Sequence, residues 1–210
     1  MTVDLLRSAA AKGSAATSAS TLHVSASTRR TQAVLAIEPV RDEIERRAAI
    51  GLGGLLDESL LETLLTLPVD IKVPIEVLSV GALRELATAP PGCVEFTDDA
   101  VVRRAVSPIR VLSAGVCAAT WRAGLSQAGQ FASYCARYAV LTRKPRELDR
   151  AEMEARYYGI GLATMMSGTD SLVWIVQPAP FRATRETVAS WHFSESALEA
   201  MAQSRDHSHR

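Results

Sequence analysis

Two spacings of apolar positions alternate along this chain. Short apolar runs of strand length trade places with segments of helical period. Pro39 followed by Arg41-Asp42-Glu43-Ile44-Glu45-Arg46-Arg47 reads as a helix start with proline in its first turn, and Gly51, Gly53 and Gly54 interrupt it. Asp57 is placed to cap a second helix, in which Leu60, Leu61, Leu64 and Leu65 form one stripe and Pro68 marks the end. Residues 71–73 and 75–78 read as extended, with Pro74 favouring an edge or a break. A short helix follows at 83–86. Strands are expected at 93–96, 101–102 and 109–116. The most regular helix is expected over 120–139, because Trp121, Leu125, Ala128, Ala132, Cys135 and Ala139 fall on one face. A charged helix is expected over 147–157. Residues 162–166 and 172–177 read as a hairpin around Ser167-Gly168-Thr169-Asp170-Ser171. Ser194 is expected to cap a terminal helix with its body at 197–201. The pattern predicts an α/β fold with a mixed central sheet of four to six strands flanked by helices.

Length and low complexity set the organisation. The 210 residues suit one domain of roughly 150–200 residues plus a tail. Residues 1–32 are rich in Ala and Ser, with few large apolar groups to offset chain entropy, so a disordered arm is expected there. A single α/β domain is expected over 33–203 and a frayed tail over 204–210. In that tail His207 and His209 spell H-x-H without a further ligand. The arm has a transit-like composition, but the Ala- and Arg-rich chain reads rather as a GC-rich bacterial one.

Net charge is zero, so bulk charge names no partner. Its distribution is more informative. Residues 38–99 hold thirteen acidic and five basic residues, and residues 103–150 hold nine basic and two acidic. Such asymmetry concentrates positive potential on one half of a fold. Cys93, Cys117 and Cys135 have neither an even count nor metal-ligand spacing. They read as small core residues in a reducing, cytoplasmic compartment. No apolar run is long enough for a membrane-spanning helix, and no membrane partner is expected.

The segment from Trp121-Arg122-Ala123-Gly124-Leu125-Ser126-Gln127-Ala128 through Gly159-Ile160-Gly161-Leu162 to Val176-Gln177-Pro178-Ala179 resembles PD-(D/E)xK nuclease-like domains, over roughly residues 57–180. The resemblance implies a restriction-endonuclease-like fold. In that family a divalent metal sits between acids on adjacent strands, and an acid-x-lysine pair points from one face of the second strand. Glu95 takes the place of the first acid. Gly115 stands where the second acid belongs and Cys117 where the lysine belongs. Gln127 matches a helix glutamine that faces the same site. Magnesium requires hard oxygen ligands, so the resemblance implies a degenerate site, with magnesium needed only by an active enzyme and no other cofactor. Asp70-Ile71-Lys72 also spells acid-x-lysine, but reads as a solvated pair on an edge strand.

Other catalytic signatures are missing: no dinucleotide-binding or phosphate-loop glycine motif occurs, and Ser113-Ala114-Gly115 is not a nucleophile elbow. His192, between Trp191 and Phe193, reads as half-buried. The expected function is therefore non-catalytic binding of nucleic acid, DNA or RNA, or of a nucleic-acid-processing partner. Arg122, Arg137, Arg143, Lys144 and Arg146 are the expected phosphate contacts, and Tyr134 and Tyr138 the candidates for stacking on bases; Trp121 is a further candidate that reads rather as buried packing. The alternative is a protein–protein scaffold without nucleic acid. An active metal nuclease is a third, less favoured reading.

Overall fold

The computed structural model describes residues 21–28, 31–165 and 172–208. The fold is α/β, and the chain divides into two compact units. The larger comprises residues 1–38, 111–183 and 200–210, and the smaller comprises 39–110 and 184–199. In sequence, residues 39–110 and 184–199 of the smaller unit each interrupt the larger one.

The larger unit is built on a six-stranded mixed sheet in the order β1-β2-β6-β7-β8-β9. β1 is Leu22–Thr28, β2 is Thr31–Pro39, β6 is Ile109–Ala118, β7 is Ala136–Leu141, β8 is Gly161–Met165 and β9 is Leu172–Val176. β1 and β2 form an antiparallel hairpin, β6, β7 and β8 run parallel, and β9 returns antiparallel. Structure therefore begins at least ten residues before the expected boundary near Ala33. The 162–177 hairpin is as expected; its loop lies outside the described residues. Parallel neighbours need crossovers. Helix α4 (Trp121–Gly129) joins β6 to β7, and α5 (Leu148–Tyr158) joins β7 to β8. Ala33 to Ile37 in β2 and Tyr138 to Leu141 in β7 are continuously buried. Central strands covered on both faces lose the alternation that betrays a strand.

The register assigns the faces of this sheet. Gly115 pairs with Tyr138 and Cys117 with Val140, so these four share one face. Val34, Ala36, Tyr138 and Val140 form its core, with Cys117, Leu172 and Trp174 packed against it. Val116, Ala118, Ala139 and Leu141 lie on the opposite face. Helix α4 lies over that opposite face. A Cβ on its Gly124 would meet the Ala139 Cβ at 2.8 Å and the Ala118 Cβ at 3.4 Å, so glycine is what allows this close approach.

The smaller unit carries α1 (Arg41–Ile50), α2 (Glu58–Leu65), α3 (Val80–Ala87) and a three-stranded antiparallel sheet of order β3-β5-β4. β3 is Lys72–Pro74, β4 is Val94–Phe96 and β5 is Ala100–Arg103. Residues 75–77, expected as extended, form a 3-10 turn instead. α1 ends at Gly51 in the left-handed region (φ 68°), which glycine enters without a Cβ penalty. Asp57 caps α2 as expected, accepting from the Ser59 and Leu60 amides at 2.9 and 3.2 Å. Leu60, Leu61, Leu64, Leu86, Val101 and Trp191 lie in the core of this unit.

The last helix, α6 (Val188–Ser208), starts earlier than expected. Thr187 caps it by accepting from the Ser190 amide at 3.1 Å, and Ser194 is a buried interior residue. The helix also covers 204–208 of the expected frayed tail. His209 lies outside the described residues.

Candidate nucleic-acid interface

The helix expected over 120–139 stops at Gly129, and this sets the geometry of the basic segment. After α4 the chain turns through residues 130–135 and enters β7. Of the expected face, Cys135 is buried but Ala132 is exposed, so the apolar spacing runs on without the helix. β7 ends at Leu141, and the Thr142 amide donates to the Ala118 carbonyl of β6 at 3.2 Å. This bond anchors the base of the loop that follows.

That loop is Arg143-Lys144-Pro145-Arg146. It leaves the carboxyl end of β7, beside the carboxyl end of β6. Arg143, Lys144 and Arg146 are exposed. None has a hydrogen-bond or ion-pair partner among the described residues. Arg122, in the first turn of α4, belongs to the same edge but is engaged. Its Nη2 donates to the Glu147 carboxylate at 2.8 Å, and its guanidinium lies 4.2 Å from the Trp121 ring centre. Both members of that pair are half exposed, so the bond is readily exchanged for another anion.

Arg137 is not brought to this edge. It lies near the start of β7, six residues before Arg143, about 20 Å away at ~3.3 Å per residue. Its Nη2 donates to the Tyr158 carbonyl at 2.7 Å, at the far end of α5. Its Nε is buried and has no hydrogen-bond partner among the described residues.

Of the stacking candidates Tyr138 is corrected, at 2% exposed, while Trp121, at 5%, is buried as its reading as packing expects. Tyr138 packs edge-on against Trp174, ring centres 5.6 Å apart, and burial pushes its phenol well above the usual range. Tyr134 is half-buried. Phe96 and Phe181 reach solvent, and so do Tyr157 and Tyr158, which are in contact edge-on at 5.0 Å. Sequence reasoning placed Tyr157 at the end of a charged helix and Tyr158 just after it, and gave neither a role.

The positions of the nuclease-like site fall on two separate sheets. Glu95 lies on β4 of the three-stranded sheet, whereas Gly115 and Cys117 lie on β6 of the six-stranded one. Glu95 accepts from the Arg104 guanidinium at 2.7 and 3.0 Å, and Arg104 also donates to Asp70 at 2.7 Å. Asp70 precedes edge strand β3, on which Lys72 is exposed, so the acid-x-lysine there is a solvated group as expected. Gln127 is half-buried on α4, over the face opposite to Gly115 and Cys117. Gly115 is filled by its neighbour, since a Cβ there would fall on the Tyr138 ring.

The cysteines do not offer a nucleophile. Burial raises the Cys93 thiol to about 11 and the Cys135 thiol to about 12, and raises Cys117 as well. A thiol held protonated is a weak nucleophile and a poor ligand. His192 is half-buried, as expected. Among the described residues no group of three or more His, Cys, Asp and Glu is arranged to hold a metal ion. No helix of the described residues is long and apolar enough to cross a membrane.

Among the described residues the larger unit carries nine basic and six acidic residues, a net of +3; the smaller carries nine and fifteen, a net of −6. No protein-family model, curated protein or solved structure matches the chain.

Proposed function

We propose that this chain binds the phosphate backbone of nucleic acid, without cutting it, through the loop Arg143-Lys144-Pro145-Arg146. The observation that carries this reading is the set of three exposed cations with no acidic partner among the described residues. They sit in a unit whose described residues carry a net of +3, at the carboxyl edge of parallel strands. Open α/β sheets bind ligands beyond the carboxyl ends of their strands. Lys and Arg that neutralise phosphates release counterions and hold the strand without reading its sequence. Arg122 adds a fourth contact when a phosphate displaces Glu147.

The absence of cutting rests on β6. Gly115 and Cys117 offer no hard oxygen to a divalent cation, and Tyr138 occupies the space over position 115. A nuclease-like ancestry belongs to the same proposal, supported by the mixed sheet and by the helix after β6; Glu95 no longer has a part in it. The test is binding of a labelled oligonucleotide across a salt series. Loss of affinity on neutralising Arg143, Lys144 and Arg146 supports the loop, and unchanged affinity rejects it.

A second reading concerns the smaller unit. Its net charge of −6 and the exposed apolar side chains Ile71, Val77 and Val80 suit a protein partner rather than a polyanion. Full nucleic-acid affinity in a Val77→Ser/Val80→Ser variant would assign those residues to some other role.

A further inference from the structure

Helix α5 has an unusual surface for a charged helix. Met153 is 62% exposed, Tyr157 82% and Tyr158 53%. Arg150 pairs with Glu154 at 3.2 Å and Arg156 with Glu152 at 2.7 Å, while Asp149 is exposed and leaves the helix with a net charge of −1. Beside these charges, Met153, Tyr157 and Tyr158 are the apolar side chains the helix offers to solvent. Leaving two tyrosine rings in water gives up the burial that usually accompanies an aromatic side chain.

Two further groups frame these rings. Arg137 is held by the Tyr158 carbonyl, and its buried Nε is a donor without a partner among the described residues. At the other end of α5 stands the free cationic loop. The eleven residues of α5 separate the two ends by about 16 Å. That span matches on the order of five nucleotides at about 3.4 Å each. A surface with cations at one end and exposed aromatic rings at the other is the pattern of single-strand binding. There the charges hold the backbone, and unpaired bases stack on the rings. A duplex keeps its bases stacked internally and has none to lend.

We infer that Tyr157 and Tyr158 form a stacking platform for unpaired bases, and that the preferred ligand is a single strand running along α5 from the Arg143–Arg146 loop. This rests on the backbone-binding reading of that loop. The platform supplies the preference for single over double strands.

The experiment measures fluorescence anisotropy with three probes: an oligothymidylate of about 20 nucleotides, an abasic strand of equal length, and a duplex of that length. Wild type binds the oligothymidylate more tightly than the abasic strand or the duplex. Tyr157→Ala/Tyr158→Ala loses about 5- to 100-fold on the oligothymidylate per base unstacked, and little on the abasic strand. Tyr157→Phe/Tyr158→Phe keeps the affinity, because the rings remain. Tyr157→Ala alone repeats the loss in a side chain too exposed to matter for folding. Equal affinity for thymidylate and abasic strands, or wild-type affinity in both alanine variants, overturns the platform. If the loop variant still weakens binding in that case, the backbone reading stands and only the platform falls. No binding of any probe overturns both.

Discussion

Arg47 and Glu195, 148 positions apart, meet side by side: Nη1 donates to Oε2 and Nη2 to Oε1, each at 2.8 Å. The surrounding groups complete the network within the smaller unit. Arg47 Nε donates to Glu43 at 2.7 Å, and Nη2 also donates to the Val106 carbonyl at 2.9 Å. Glu195 accepts in addition from Trp191 Nε1 at 2.7 Å and from the Leu55 amide at 3.1 Å. Arg47 and Glu195 are both buried. Removing one member strands the other charge away from water. Glu195→Ala is therefore expected to lower stability by about 3–5 kcal/mol, read from the midpoint of urea unfolding. Adding Arg47→Met should recover part of that loss, because the stranded charge goes with it. A wild-type midpoint for Glu195→Ala would mean that the pair does not hold the unit together.

Glu43 gives the same network a pH dependence of known sign. Burial by itself raises its pKa, but the hydrogen bonds and charges of Arg46 and Arg47 prevail and hold it below the ordinary value of 4.5. A lowered folded-state pKa contributes stability that is present above the unfolded value and lost as pH falls through the folded one. The difference in stability between wild type and Glu43→Gln is thus expected to be largest above about pH 4.5 and to shrink on acidification below it. Denaturant midpoints of both proteins from neutral pH to pH 3 measure this. A difference that grows on acidification would reverse the assignment.

Gly115 and Tyr138 are coupled by space. The position over Gly115 is taken by the Tyr138 ring, in the neighbouring strand at the same register. Gly115→Ala is expected to cost about 1–3 kcal/mol, the usual range for an overpacked core. The cost should fall when Tyr138→Leu removes the ring, giving a measurable interaction energy in a double-mutant cycle. Additive losses would show that the ring is not the obstacle. Gly115→Glu, which would rebuild the missing acid, is expected to fail for the same reason.

These sites show what the sequence could and could not reveal. The Asp57 cap, strand β6 and the β8–β9 hairpin were legible, because each rests on local chemistry or a contiguous apolar run. The boundary between α4 and β7 was not. Ala132, Cys135 and Ala139 imitate a helical face in sequence, yet Ala132 is exposed, Cys135 is buried in the turn and Ala139 is buried in β7. Glu95 and Gly115 appeared to be partners through the nuclease resemblance, but pairing assigns them to separate sheets. Glu195 gave no signal, since a buried carboxylate looks like a surface one until Arg47 is placed beside it. Tyr157 and Tyr158 were passed over because exposure cannot be read from residue type.

The salt dependence of binding is the most direct measure of the loop. Each phosphate neutralised on a single strand contributes a log–log slope of about −0.7. Contacts from Arg143, Lys144 and Arg146 predict a slope of roughly −2, approaching −3 when Arg122 exchanges Glu147 for a fourth phosphate. Neutralising the three loop cations should weaken binding and bring the slope close to zero. Circular dichroism should stay unchanged, because the loop cations make no bond that the fold relies on. Arg122→Gln alone should remove less than one unit of slope, since it also frees Glu147 to repel the strand. Glu147→Gln should act in the opposite direction and tighten binding by removing the competing carboxylate. Weaker binding in Glu147→Gln would mean that the Arg122–Glu147 pair positions the loop rather than competing with the ligand. A slope that keeps its wild-type value in the triple variant would place the phosphate contacts elsewhere on the unit.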